Sequence, residues 1–372
     1  MPVTLAQVAR RARVSIASAS RALSGGARTP GPDITERVRT AAEDLGYVPN
    51  AQARALVTAH SGLVGLVVHD ITDPFFSSIA RGVQQATSSS GKALLLASAD
   101  GTAQDEHRAL DALASRRAEA IILAGSHSTR AEDAEANAAL RRAAERYLAN
   151  GGRLVVIGNQ LAELELDGHQ EREQSLTSHP SGGETVLSIP NEALSALLAR
   201  ALATQGHTRF TVLAGPQDTV TSDQRLAGFQ RGLHDAGLAP AQVLRSAFTR
   251  DGGVEAAARL APAVLQHRDT GERQCVFAVN DHMAMGLLTG MRERSLEAPR
   301  DYAVAGFGGD PQTLQDIQPR LTTVRLPLAD IGRRAAELVL SPEGAQQSFG
   351  TADLDFEVLL RDSTGLQDWA QK

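Results

Sequence analysis

The sequence predicts an α/β protein in three parts: a small helical head, a short hinge, and a two-lobed core of parallel sheets flanked by helices. Three observations predict it. Between Thr4 and Gly46 apolar residues recur at helical spacing in three short runs separated by turn signals. Beyond residue 61 short apolar runs alternate with helical stretches in two series, the pattern of strands joined by crossover helices. The chain of 372 residues is long enough for such a head and a core of two similar lobes.

The head is read from local chemistry. Thr4 and Gln7 make a capping box, and Leu5, Val8, Ala9 and Ala12 form an apolar stripe, so the first helix starts at Thr4 or Leu5. Arg13-Val14 makes the turn, and Ser15 caps a second helix running from Ile16 to Leu23, whose small residues permit close approach to a groove. In such a helix-turn-helix the first residues of the second helix face base edges in the major groove while the first helix lies across the backbone. The candidate DNA-binding set is therefore Thr4, Ser15, Ile16, Ala17, Ser18, Ser20 and Arg21. Ile16 and Ala17 cannot hydrogen-bond, so they are assigned to a thymine methyl or to close approach; the competing assignment packs Ile16 inside the head. A third helix is expected from a Thr35 cap, with Val38, Ala41, Ala42 and Leu45 inward and Gly46 at its C′ position.

In the core, strands are expected at Leu63 to His69, Ala93 to Ala97, Ala120 to Ala124 and Leu154 to Gly158, with helices near 76–90, 104–117 and 137–149. A second series of strands is expected near Val186 to Ile189, Phe210 to Ala214, Val243 to Ala247, Cys275 to Val279 and Ala303 to Phe307. Between the series, Leu161 to Gly183 is polar and reads as an extended loop with no function assigned.

Composition narrows the class. Hydrophobic content of 42% suits a globular protein, and 3% aromatics means a core built on Ala, Leu and Val. The net charge of -6 is unevenly spread, since residues 1–60 hold eight Arg against four acids, or +4, leaving -10 for the rest. That places the DNA-facing surface in the head. Cys275 is the only cysteine, which excludes an internal disulfide framework, and its apolar strand makes it a structural thiol. No apolar run is long enough to span a membrane and the N-terminus lacks an export pattern, so the protein is expected in the cytoplasm and not among exported solute-binding proteins.

In open α/β sheets ligands bind beyond the carboxyl ends of strands. Asp73, Phe75 and Phe76 follow the first core strand, where an aromatic ring can stack on a sugar or base and a carboxylate can accept hydroxyl hydrogen bonds; either phenylalanine can equally be core. Arg225 lies at the start of a second-lobe helix, Asp281 follows the strand that ends at Val279-Asn280, and Phe307 ends another strand. From the residues alone, Arg225 can be a surface ion pair and Asp281 a plain helix N-cap. Enzymatic motifs are missing: there is no G-x-x-x-x-G-K-[ST], H-E-x-x-H, G-x-S-x-G or paired-cysteine pattern, and Pro311 interrupts the one Gly-rich turn, Gly306 to Gly309. The histidines lack ligand spacing, so neither a metal nor another cofactor is expected.

The segments T-L-A-Q-V-A-R-R-A-R-V-S, S-R-A-L-S, A-A-E-D-L-G-Y-V-P-N and A-x-A-L, in that order over residues 4–56, resemble the lactose-repressor family of bacterial transcription regulators. The likeness continues through D-P-F-F at 73–76, R-L-A-G-F at 225–229, N-D-H-M-A-M-G at 280–286 and L-T-T-V-R-L-P at 321–327. The resemblance implies a periplasmic-binding-protein-like core, a homodimer on double-stranded operator DNA, and a small-molecule effector, with sugars first and nucleosides second. It implies that Arg225 and Asp281 contact that effector, joined here by Asp73, Phe75, Phe76 and Phe307. It also implies a hinge in which Asn50, Ala53 and Leu56 meet DNA. The domains follow as a head at 1–49, a hinge at 50–61, a core at 62–361 and a tail at 362–372. Departures from the family pattern are Arg13 where the turn usually has Gly, a longer stretch from Gly25 to Pro32, and Gly308-Gly309 in place of an acidic pair. The reading is an effector-responsive transcription regulator, in the first instance a repressor of carbohydrate or related catabolic genes. The alternatives are a cytoplasmic small-molecule-binding protein without operator recognition, and an enzyme with an unrecognised site.

The hinge leucine carries the first prediction. If Leu56 wedges into the minor groove, exchanging base unstacking for contacts elsewhere, Leu56→Ala will sharply reduce operator affinity and leave effector binding unchanged. Unchanged operator affinity in a gel-shift titration would make Leu56 a linker residue that packs on the core.

Overall fold

The computed structural model describes residues 3–24, 29–48, 61–161, 184–268, 273–309, 316–341 and 354–365. The chain divides into two compact units, Met1–Ser61 and Gly62–Lys372. Asn50, Ala53 and Leu56, the rest of the expected hinge up to residue 60, and residues 162–183 of the polar stretch lie outside the described residues.

Among the described residues the first unit contains three helices: α1 (Leu5–Ala12), α2 (Ile16–Ser24) and α3 (Pro32–Leu45). Thr4 caps α1 in a complete capping box with Gln7. The helix stops because Arg13 turns left-handed, at φ 55° and ψ 48°, and its N–H returns to Ala9 and Arg10 carbonyls. A non-glycine residue there costs about 1 kcal/mol. Ser15 accepts from the Ser18 N–H at 3.0 Å, as an N-cap should. Val8, Ala9, Ala12, Ala19, Ala22, Val38, Ala41 and Ala42 are buried together. One expectation fails: Thr35 is not the cap of α3. Gly31 and Pro32 open that helix a turn earlier, and the Thr35 hydroxyl donates instead to the Pro30 carbonyl at 3.0 Å. Pro at the first helical position has no N–H to leave unsatisfied, which is why it can start the helix without a side-chain cap.

The second unit has two sheets. In the first lobe β1 (Leu63–Val68), β2 (Ala93–Ser98), β3 (Ala120–Ala124), β4 (Arg153–Ile157) and β5 (Glu184–Leu187) are parallel, in the order β2-β1-β3-β4-β5. The strand expected near Val186 to Ile189 thus closes the first sheet instead of opening the second. Its partner is β4, because Leu154–Ile157 offers a fully apolar edge that Val186 and Leu187 continue. Helices α4 (Pro74–Ser89), α5 (Ala103–Ser115) and α6 (Ala134–Ala149) flank this sheet.

The second lobe has β6 (Arg209–Ala214), β7 (Gln242–Arg245), β8 (Gln274–Ala278), β9 (Ala303–Gly308), β10 (Thr322–Arg325) and β11 (Glu357–Leu359), in the order β11-β10-β9-β8-β6-β7. Strands β10 and β11 were not expected, and β11 runs antiparallel at the edge. Helices α7 (Asn191–Thr204), α8 (Val220–Asp235), α9 (Arg250–Arg268) and α10 (Asp281–Arg292) pack on it. The segment read as a tail enters the core at once: a turn at Asp362–Thr364 buries Ser363 and Thr364, and Ser363 donates to the Val304 carbonyl at 2.6 Å. Cys275 is buried, and burial pushes its thiol up to about 12. No helix among the described residues is long and apolar enough to cross a membrane.

Two of the chain's passages between the lobes use the same device. Pro190 precedes α7 with φ -77° and ψ 63°, and Pro327 precedes α11 (Leu328–Leu340) with φ -77° and ψ 66°. Each closes a three-residue turn, Asn191 N to Ile189 O at 2.7 Å and Leu328 N to Leu326 O at 2.9 Å. These are inverse γ-turns, compact and preset by the proline ring. After the second crossing α11 packs on α4 of the first lobe, where Gly82 lies against Ala329 backbone and Gly332 against Ile79 backbone. No Cβ fits at either glycine. Gly82→Val should therefore lower the unfolding free energy of the core by about 3 kcal/mol, read as a lower urea midpoint; a midpoint equal to wild type would mean that α4 and α11 do not pack this closely.

Candidate functional site

The carboxyl ends of both sheets face a cleft of about 710 Å³ between the lobes of the second unit. Five of the six predicted effector residues, Asp73, Phe75, Phe76, Asp281 and Phe307, lie at the ends of strands or the starts of the helices that follow them, and all six line this cleft.

Arg225 is not a surface ion pair. It sits in the second turn of α8, 3% exposed, with its Nε donating to Asn191 Oδ1 at 2.9 Å and an Nη donating to the Val279 carbonyl at 2.7 Å. Its guanidinium stacks on the Phe307 ring, 3.9 Å from the centroid. Phe307 is itself buried and serves as the platform under Arg225, so it presents less open face than the sequence suggested. Burial lowers the Arg225 pKa to about 9, against the charges of Asp281 and Asp73.

Nor is Asp281 the helix cap. Asn280 has that role, accepting from Met283 N–H at 2.7 Å, which frees Asp281 at the first helical position to turn into the cleft. Its Oδ1 accepts from the Thr323 hydroxyl at 2.7 Å and its Oδ2 from the Gly309 N–H. Burial raises its pKa to about 6, although both hydrogen bonds and the nearby Arg225 and His282 pull the other way. Asp73 caps α4 by accepting from Phe75 N–H at 2.8 Å, and its second oxygen faces His282 Nδ1 of the other lobe at 3.5 Å. Burial raises its pKa too, opposed by His282. Phe75 and Phe76 are half-buried and meet edge to face at 5.1 Å.

The lobes are joined across the cleft. Ser128 and Thr219 form an isolated antiparallel bridge, with Val220 N–H donating to His127 O at 3.0 Å and Thr129 N–H to Asp218 O at 2.8 Å. Sequence reasoning missed His69, His127 and His282. The strand-end rule that found Asp73 also reaches His69 and His127, which follow β1 and β3 closely, whereas nothing local marked Asn191 or Thr323. Among the described residues no group of three or more His, Cys, Asp or Glu is placed to hold a metal ion.

In the head, α2 turns Ala19 and Ala22 inward and leaves Ile16, Ala17, Ser20 and Arg21 exposed, with Ser18 half-buried. Ile16 is 56% exposed, which excludes its packing inside the head. Arg21 Nε donates to its own helix at Ala17 O, 3.1 Å away. Thr4 and Ser15 are exposed at the starts of α1 and α2.

Three family models match the chain: bacterial regulatory proteins of the lacI family over residues 4–50, the periplasmic binding proteins and sugar binding domain of the LacI family over 61–145, and a periplasmic binding protein-like domain over 199–364. The HTH-type transcriptional regulator GalS of Salmonella typhimurium is 30% identical over 354 residues, covering 95% of this chain and 92% of that protein. The HTH-type transcriptional repressor CytR of Escherichia coli is 29% identical over 370 residues, covering 97% and 96%. Among solved structures, the lac repressor dimer bound to operator and the anti-inducer ONPF matches with a TM-score of 0.74 at 20% identity, over 98% of this chain and 99% of that one.

The electrostatics of Asp281 give a prediction with a definite sign. Because its folded pKa lies above the unfolded value, the fold prefers the protonated form; the stability this group lends is complete below about pH 4 and lost as pH rises through about 6. Asp281→Asn should then stabilise the ligand-free protein by about 3 kcal/mol at pH 8 and by clearly less at pH 5. Paired urea melts at the two pH values measure it, and an advantage independent of pH would contradict the buried, strained carboxylate.

Proposed function

We propose that this chain, which belongs to the lacI family of bacterial regulatory proteins, senses an uncharged sugar or nucleoside in the interlobe cleft and converts that event into a change of operator affinity. It is an effector-responsive, sequence-specific DNA-binding transcription regulator. We read it as a cytoplasmic homodimer and a repressor of carbohydrate or related catabolic genes. Its proposed parts are a head at 1–49, a hinge at 50–61 and a core from 62, with the last described residues, to 365, belonging to that core.

One observation supports the sensing role above the others: a guanidinium and a carboxylate, both nine-tenths buried or more, line a cleft large enough for a small ligand without forming a direct hydrogen bond to each other. Fold alone favours neutral or well-paired groups at such depth. A polyol inserted between them supplies donors to Asp281 and acceptors to Arg225, while Phe75 and Phe76 offer apolar edges for the ring faces. The same groups come from both lobes, so ligand binding biases the lobe orientation, which is the linkage a regulator needs. In the head, the exposed face of α2 is the proposed reading surface, with Ala17 opposite bases and Arg21 and the serines making polar contacts. The relatives are regulators, and a non-catalytic role is our reading.

Two experiments test this. Arg225→Ala and Asp281→Ala should each abolish or greatly weaken the effector response, seen by calorimetry with sugars and nucleosides, while the core stays folded and DNA binding persists; undiminished affinity in both variants removes these residues from the site. Binding-site selection should return a near-palindromic operator whose affinity falls steeply with salt, and Ala17→Gln, which can pair with adenine, should change the preferred base at one symmetric pair of positions. Equal affinity for random DNA at every salt level would defeat the regulator reading, and an identical selected motif would take Ala17 off the base-facing side.

A further inference from the structure

The first-lobe wall of the cleft carries polar groups that the proposed effector contacts leave unused. His69, just after β1, and His127, just after β3, flank Glu106 of α5: His69 Nε2 lies 2.9 Å from one carboxylate oxygen and His127 Nε2 lies 3.0 Å from the other. Glu106 is 1% exposed and His127 5%, and Glu106 stands behind the two rings, which line the cleft. A Cβ at Gly125 would strike both His69 and Glu106, so the loop must carry glycine for the three side chains to meet. Two adjacent lining residues then hold buried polar atoms without partners, Ser126 Oγ and His127 Nδ1.

The carboxylate decides which ring atom is free. Burial opposes ionisation of Glu106, but the His127 charge and the hydrogen bonds from both imidazoles outweigh it and hold the group well below the usual carboxylate range. An ionised carboxylate only accepts, so each imidazole must carry a proton on Nε2, leaving Nδ1 of His127 for another partner. Val220 N–H of the second lobe donates to the His127 carbonyl at 3.0 Å, so the second lobe meets the residue that carries one of the two orphaned atoms. Buried polar atoms of this kind are ordinarily satisfied.

We infer that His127, oriented by Glu106, forms with Ser126 a second polar subsite that takes a hydroxyl of an uncharged polyol, at the end of the effector remote from Arg225 and Asp281. The inference rests on the reading of the cleft as the effector site. A hydroxyl both donates and accepts, so one oxygen can serve Nδ1 and the serine whether the imidazole is neutral or charged. A phosphate or carboxylate fits badly: among the described residues five aspartates line the cleft against Arg130, Arg225 and Arg250. Arg130 is already paired with Glu132 and Asp133, and Arg250 lies against Asp251.

The test uses the full-length protein and calorimetry with D-ribose, D-galactose, cellobiose and cytidine, with ribose 5-phosphate as the charged counterpart. His127→Gln keeps an amide N–H where Nε2 meets Glu106 but has no atom at Nδ1; Ser126→Ala removes only the hydroxyl. The uncharged probe that binds wild type most tightly should lose about tenfold or more in affinity with His127→Gln and a smaller factor with Ser126→Ala, both variants melting like wild type. It should also bind more tightly than ribose 5-phosphate. Affinities within about twofold of wild type in both variants, or tighter binding of the phosphate, overturn the subsite while leaving the cleft as the effector site. If no probe binds wild type, the effector reading itself fails, and the subsite falls with it.

Discussion

The arrangement of the core turns on one burial, that of the Arg225 guanidinium. An isolated charge at 3% exposure is costly, and the fold answers it with three partners drawn from three elements: Asn191 at the start of α7, the Val279 carbonyl at the end of β8, and the face of Phe307 in β9. Satisfying the cation in this way leaves Asp281 close enough to feel it but bound to Thr323 and Gly309 instead. The pair is thus held apart. Both groups keep pKa values displaced in the direction that burial dictates, Arg225 down to about 9 and Asp281 up to about 6. A ligand that bridges them relieves both, so the strain is a source of selective affinity for a bound state.

Asn191 connects this chemistry to the first interlobe crossover. It is the residue after Pro190, in the first γ-turn crossover, so the side chain that holds Arg225 belongs to the segment on which the lobes would pivot. The second crossover at Pro327 is its near twin in backbone angles. With φ fixed by proline at both, a change in lobe orientation has to come from ψ and from the neighbouring residues, which confines it to a narrow set of directions. Among the described residues, contacts that would resist opening include the Ser128–Thr219 bridge with its two backbone hydrogen bonds, and Asp73 against His282.

Much of this was legible in the sequence where the cause was local. The capping box at Thr4, the Ser15 cap and the Gly46 terminus each follow from neighbours within four positions, and each stands in the structure as read. Buried parallel strands were found because their apolar runs are continuous. The errors share the opposite origin. Val186–Leu187 was allotted to the wrong lobe, because the strand it pairs with, β4, lies back across the polar stretch. Strand β10 begins Thr322-Thr323, whose hydroxyls serve the Arg361 carbonyl, Thr364 and Asp281, so its polar letters masked a buried position. Nothing local marked Glu106 within its helix; only the fold brings His69 and His127 to it.

The energetic demand on such a cleft is modest. A tenfold change in operator affinity corresponds to about 1.4 kcal/mol of coupling, and one hydrogen bond to a charged, buried group is worth about 1.5–3 kcal/mol. A single contact made in one lobe orientation and broken in the other is therefore enough to switch a regulator by an order of magnitude. An effector that reaches both Asp73 of the first lobe and Asp281 of the second makes such contacts only when the lobes stand at one distance. A ligand held wholly by Arg225, Asp281 and Thr323 would bind tightly and shift nothing, since those residues all belong to the second lobe and move together. Under the proposed function, contacts to the first-lobe wall, with Asp73, Phe75 and Phe76, would be what turns affinity into a signal.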